Sequence, residues 1–178
     1  LAGVRQAPTV DVDAKAQTVT LRFARPVPAG RHALSLGFSG RLNERGEGLY
    51  RVAATGDAKR RIVATQMGPV GARLMLPCFD EPAVRTVWEL ALTTDARHTV
   101  VSNMPATRRI EAGGGRVRTQ FAPTPPMSSY LLAVVVGEFD QLSARHGAVE
   151  LNVIVPPGEA PRAQRTMNWT QALLRYFD

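Results

Sequence analysis

Apolar residues recur at every second position through most of this chain, and that period constrains the fold more than any other feature. Across residues 17–24, Val19, Leu21 and Phe23 face one way and Thr18, Thr20 and Arg22 the other, the alternation of a strand with one buried face. After a turn at residues 26–30, Leu34, Leu36 and Phe38 alternate with Ser35 and Gly37, so these two stretches read as a hairpin. Further short strands are expected at residues 49–54, 61–67, 88–93, 99–103 and 117–121, the last two separated by a turn centred on Gly113-Gly114-Gly115. Residues 130–136 are a continuous apolar run, short enough for a strand covered on both faces. Val149, Leu151, Val153 and Val155 resume strict alternation until Pro156-Pro157-Gly158 stops it. Beyond that break the period lengthens to that of a helix, with Ala163, Met167, Thr170, Leu174 and Phe177 on one stripe. No Gly or Pro closes this helix before Asp178, so it is expected to run on into further chain. Many short strands, no repeat and one terminal helix predict an antiparallel all-β fold of the sandwich or barrel type.

Length and charge narrow the class. At 178 residues and 19.3 kDa with 44% hydrophobic residues, the chain fits one large domain, and a compact fold of that mass buries roughly 70% of its exposable surface. Long intrinsic disorder is disfavoured. No apolar run is long enough to span a membrane and the first residues lack a leader pattern, so the chain reads as soluble, with cytoplasm and periplasm both open. It lacks an initiator Met and reads as a processed product or an excised piece. The net charge is +7, and every cation except Lys15 and Lys59 is Arg, a bias that a GC-rich genome also produces. The longest basic run is Lys59-Arg60-Arg61 and the rest are scattered. That pattern favours an ordinary solvated surface over a nucleic-acid face. A free-standing β-module for an acidic partner rests on the charge alone.

Catalytic spacing is absent. A hydrolytic zinc site of the His-Glu-x-x-His kind needs two imidazoles on one helical face. His32, His98 and His146 are instead far apart in strand or loop stretches and read as surface or satisfied histidines. There is no Gly-x-Ser-x-Gly elbow and no phosphate-cradling loop before a helix. The single cysteine, Cys78, excludes an internal disulfide and a cysteine-based zinc site; between Pro77 and Phe79 it reads as a small buried apolar side chain. One segment stands apart: residues 65–82, TQMGPVGARLMLPCFDEP, have neither period and combine three prolines, two glycines, one Arg and an acidic pair. A long ordered loop must satisfy its own backbone, and Arg73 is expected to lock it by pairing with Asp80 or Glu81.

Residues 77–82, together with Gly48-Leu49-Tyr50-Arg51, Ser102-Asn103-Met104-Pro105, the stretch TPPMSSYLLA at 124–133 and Val136-Gly137-Glu138-Phe139, occur in the order found in one family. Over residues 10–178 the chain resembles the amino-terminal β-domain of the aminopeptidase N family of zinc metallopeptidases. The resemblance implies an antiparallel, saddle-like all-β domain over residues 1–157 that lacks its first strands. It makes residues 158–178 the start of a helix leading into a thermolysin-like catalytic domain. Zinc, its ligands and the loop that grips a peptide's amino end would lie beyond Asp178, leaving no catalytic residue, metal ligand or cofactor here.

The implied function is that of a non-catalytic domain of an aminopeptidase that removes amino-terminal residues from peptides, its partners being the peptide substrate and the catalytic domain. Gln66 would stand at the rim of the substrate pocket. Gly68 falls where the family has Glu or Gln, and so offers no side chain to the substrate's ammonium. Arg73, Asp80 and Glu81 would serve the structure of the loop. The alternative implied by Gly68 is a catalytically inactive relative whose β-domain is a protein-interaction scaffold.

Overall fold

In a computed structural model, residues 5–54 and 57–177 are described; residues 1–4 and 178, the outer ends of the two expected segments, fall outside it. In the first strand, β1 (Thr9–Asp13), Val10 and Val12 alternate with Asp11 and Asp13, and it pairs antiparallel with β2 (Thr18–Arg22). Asp13 makes the turn: its Oδ1 accepts from the Lys15 and Ala16 N–H groups at 2.9 and 2.8 Å. The expected partner of β2 is therefore wrong. Residues 31–42 carry no strand, and Leu34, Leu36 and Phe38 are 58, 42 and 59% exposed. Alternation prepares a stretch for a ladder but does not supply one. Here the short Asx-type turn gives β2 its neighbour on the upstream side.

The chain continues through β3 (Gly48–Ala54), β4 (Asp57–Gln66), β5 (Arg85–Thr86), β6 (Ala91–Asp95), β7 (Thr99–Ser102), β8 (Ala106–Gly113), β9 (Arg116–Phe121), β10 (Met127–Ser128), β11 (Val134–Gly137), β12 (Asp140–His146), β13 (Val149–Val155) and the helix α1 (Ala160–Phe177). All the strand pairings between these elements are antiparallel. The largest sheet has the order β3-β4-β11-β7, and β6-β9-β8 form a second. In β9, Val117, Thr119 and Phe121 point inward and are buried, while Arg116 and Arg118 are exposed. The hairpin β12–β13 carries α1, which buries Ala163 and Met167 against it and leaves Trp169, Leu173, Tyr176 and Phe177 exposed. The fold class is thus all-β with one C-terminal helix.

Two expected strands start later than their apolar runs. Within residues 130–136 a 3-10 turn over Ser129–Leu131 comes first, and only Val134–Gly137 joins the sheet. The cause is a side chain. Asn103 Nδ2 donates to the Leu131 carbonyl at 2.8 Å and its Oδ1 accepts from Ala133 N–H at 2.7 Å, so this backbone is engaged before a ladder can claim it. Residues 88–90 likewise precede β6, with Trp88 N–H donating to Thr124 Oγ1 at 3.0 Å and the Leu90 carbonyl accepting from Phe121 N–H at 3.0 Å.

The burial expected of a compact chain is not reached. The chain exposes 13031 Å², against about 8,500 Å² for a compact fold of its mass. Its sheets are small and many of their apolar side chains face outward. One cluster of the core is made by Met67, Ala72 and Leu132, with Met75, Leu76, Trp88, Met127 and Tyr130 packed around them.

Candidate functional site

Directly over that core lies a groove of about 480 Å³, walled on one side by residues 65–69 and on the other by residues 130–133, with Pro82 at its edge. The first wall is the end of β4. Gln66 is its last residue, exposed and paired in register with Gly48. The strand stops because Pro69, with no N–H to give a ladder, opens a 3-10 turn over Gly68–Val70. Gly68 has φ +53°, and a Cβ built there meets nothing within 4 Å. A side chain at this position has room, but its backbone is in the left-handed region that favours glycine. Gly71 is glycine for the opposite reason. Its φ is ordinary, but a Cβ would lie 1.9 Å from the Met67 carbonyl oxygen.

The second wall is fixed by side chains from two other segments. Asn103 holds Leu131 and Ala133 as described above, and Ser102 Oγ donates to the Ala133 carbonyl at 2.8 Å. Thr65 Oγ1 accepts from Val134 N–H at 3.0 Å, joining this wall to the first. At the edge, Ser128 Oγ donates to the Pro82 carbonyl at 2.5 Å.

Beneath the groove, Arg73 and Asp80 meet. Asp80 is 3% exposed and its Oδ2 accepts from Arg73 N–H at 3.1 Å and from Arg73 Nε at 2.8 Å. Its Oδ1 accepts from Ser129 Oγ at 2.9 Å. Burial by itself would raise the Asp80 carboxyl. The bonds from the Arg73 side chain, the Arg73 backbone and Ser129 outweigh it and hold the group below the usual carboxylate range. Arg73 is raised in turn, first by its hydrogen bond to Asp80, and its Nη1 reaches Gln17 Oε1 at 3.2 Å in the β1–β2 turn. Glu81 stands apart, exposed, with its carbonyl accepting from Val84 N–H at 2.9 Å. Cys78 is half-buried against the core; desolvation pushes its thiol up, and the negative charge of Asp80 adds to the shift.

The structure thus brings Arg73 and Asp80 together, sets Gln66 and Gly68 on the groove and leaves Glu81 outside the network. Ser129, Asn103 and Thr65 hold the walls, a role that sequence reasoning missed. Their signal was faint: lone small polar residues at the edges of apolar runs. Among the described residues no three His, Cys, Asp or Glu side chains gather as metal ligands. No helix is long and apolar enough to cross a membrane. The groove offers an apolar floor and the Gln66 amide, which suits it to binding a ligand.

The model of the peptidase M1 N-terminal domain family matches residues 4–131. Aminopeptidase N of Acetobacter pasteurianus is 34% identical over 173 residues, which cover 96% of this chain and 48% of that protein. Aminopeptidase 2 of Candida albicans is 32% identical over 171 residues, covering 95% of this chain and 18% of the relative. Endoplasmic reticulum aminopeptidase 1 of Rattus norvegicus is 30% identical over 166 residues, with 91 and 18% covered. The chain spans about half the length of the first of these curated relatives and under a fifth of the other two.

Proposed function

Because this chain belongs to the peptidase M1 N-terminal domain family, we propose that it is the non-catalytic β-domain of a zinc aminopeptidase and that its groove is one side of the pocket for a peptide's first residue. The observation that carries this reading is the groove itself, which opens over the core between two family-like segments with Gln66 on its rim. In the parent, zinc and its ligands belong to the catalytic domain. The described residues of this chain gather no ligand set, so no chemical step is assigned to them.

Their part is to bind and orient. The Gln66 amide oxygen accepts a hydrogen bond from the substrate's ammonium, a charge-assisted contact. Gly68 adds nothing to it, so Gln66 is this domain's sole polar contact with the amine. The first side chain of the peptide rests against the apolar lining contributed by Met67, Tyr130 and Leu132. The excess exposed surface, with Trp169, Leu173 and Tyr176 on α1, suits a domain covered by the rest of its parent.

The test uses the full-length parent and aminoacyl anilides. Gln66→Ala raises KM about tenfold with a smaller change in kcat, the loss of roughly one charge-assisted bond, and the 178-residue chain alone gives no turnover. Hydrolysis by the isolated chain, or an unchanged KM in the variant, refutes the reading. The missing acceptor at Gly68 favours one other reading, a relative without catalysis whose β-domain is a docking scaffold. A full-length parent that carries no zinc and releases no aniline establishes that alternative.

A further inference from the structure

Among the described residues Asp80 is the one charged side chain that is buried, and its position is unusual for a residue that only locks its own loop. One carboxylate oxygen takes both bonds from Arg73, which follows the first wall in sequence; the other takes the bond from Ser129, the residue immediately before Tyr130 in the second wall. A rigid planar group thus links the segment that follows the first wall to the residue that precedes the second.

The geometry points to Asp80 as a positioning residue, a strut that sets the spacing of the two walls through Arg73 and Ser129 and so determines which first side chains the groove admits. This rests on the reading of the groove as part of a substrate pocket. The β4–β11 ladder and the Thr65–Val134 bond tie the walls where the strands pair, and Asp80 adds a tie through the residues that flank them, Arg73 and Ser129. Gly71 folds the first segment back on Met67 with no room to spare, so a displacement of Arg73 passes along the backbone to residues 67–69. On the other side the 3-10 turn begins at Ser129, and its pitch carries any shift of Ser129 directly into Tyr130 and Leu131. Close-packed neighbours transmit such shifts and do not absorb them. Asp80 itself lines no part of the groove.

The experiment is made on the full-length zinc-loaded parent, with kcat and KM measured for alanyl and phenylalanyl anilides. Ser129→Ala removes one of the three bonds on Asp80 and keeps the Arg73 pair, so the variant remains folded. Its ratio of kcat/KM for the two substrates shifts about fivefold, the scale on which a pocket discriminates side chains differing by a few atoms, mostly through KM. Ser129→Cys, of similar size but a weaker donor, gives an intermediate ratio. A ratio unchanged in both variants while their Tm falls means that Asp80 holds the fold only, and overturns the inference. If the wild-type parent hydrolyses neither anilide, the pocket reading fails, and this inference with it. Activity in the wild type with an unaltered ratio in the variants condemns the strut alone.

Discussion

Residues 9–38 contain some of the most regular alternation in the chain, yet Val10, Val12, Leu34 and Phe38 are all more than half exposed. Residues 65–82 have no period at all, yet Met67, Ala72 and Asp80 are each at most 7% exposed. Period two states which side chains can share a face; it does not state that anything covers that face. Burial in the second region comes instead from particular fixings: a glycine with no room for a Cβ, a proline that ends a strand, and a carboxylate with three donors. Free energy concentrates where such fixings occur, so the two regions are expected to answer very differently to substitution.

The largest contrast is at Asp80. Replacing it with Ala leaves Arg73 and Ser129 without their acceptor under a packed core and costs about 3 kcal/mol in chemical denaturation, whereas Val12→Ser in β1 changes stability by less than about 0.5 kcal/mol. Equal costs would erase the comparison. Next come two glycines. Gly71→Ala forces a methyl group into the Met67 carbonyl and lowers stability by about 2 kcal/mol; at Gly37, with nothing within 4 Å of a built Cβ, the same substitution stays within about 0.5 kcal/mol of wild type in the same urea titration.

A smaller effect concerns pH. The Asp80 carboxyl is lower in the folded chain than in the unfolded one, so its ionised form stabilises the fold. That contribution is complete above the ordinary carboxylate value of about 3.9 and disappears as pH falls through the depressed folded value. The charged group that acts on it is Arg73, and Ser129 adds a neutral hydrogen bond. Urea midpoints of wild type and Asp80→Asn therefore differ most at neutral pH and converge in acid; a gap that stays constant down to about pH 2 assigns the stability to packing alone. Smallest of all is Phe38→Ser. Its ring is 59% exposed and its loss leaves Tm of the isolated chain within about 2 °C.

Much of the architecture was legible before any coordinates. The alternation of Val149, Leu151, Val153 and Val155 became β13, the three glycines at 113–115 became the turn between β8 and β9, all with positive φ, and of the helical stripe Ala163 and Met167 are buried while its last member, Phe177, is exposed. β1 escaped notice although Val10 and Val12 alternate in it, and two longer missed strands have little apolar face. Most of β8 is exposed and two of its residues are arginines, and β12 is polar at most of its positions. Each is held mainly by the backbone ladder of its neighbour, which leaves no trace in side-chain hydropathy.

The site was legible in a different way. Gln66, Gly68 and the odd composition of residues 65–82 pointed to the right place, but nothing in the sequence linked Ser129 to Asp80, forty-nine positions apart, or Asn103 to the backbone of Leu131. Such bonds depend on the folded path between two distant segments. The apolar run at 130–136 read as one strand because hydropathy is blind to an asparagine elsewhere that occupies its first carbonyl and N–H groups.

The lone thiol at Cys78 makes this region its own reporter. Its sulfur sits at the border of the core, beside the Asp80 charge, where burial keeps it in the protonated, slowly reacting state. Disulfide exchange with a coloured reagent is therefore expected to be slow in the folded chain and faster when the 65–82 loop lifts. With no second cysteine in the chain to blur the signal, the reaction half-time becomes a clock for that lifting, readable in a cuvette without any label or engineered probe.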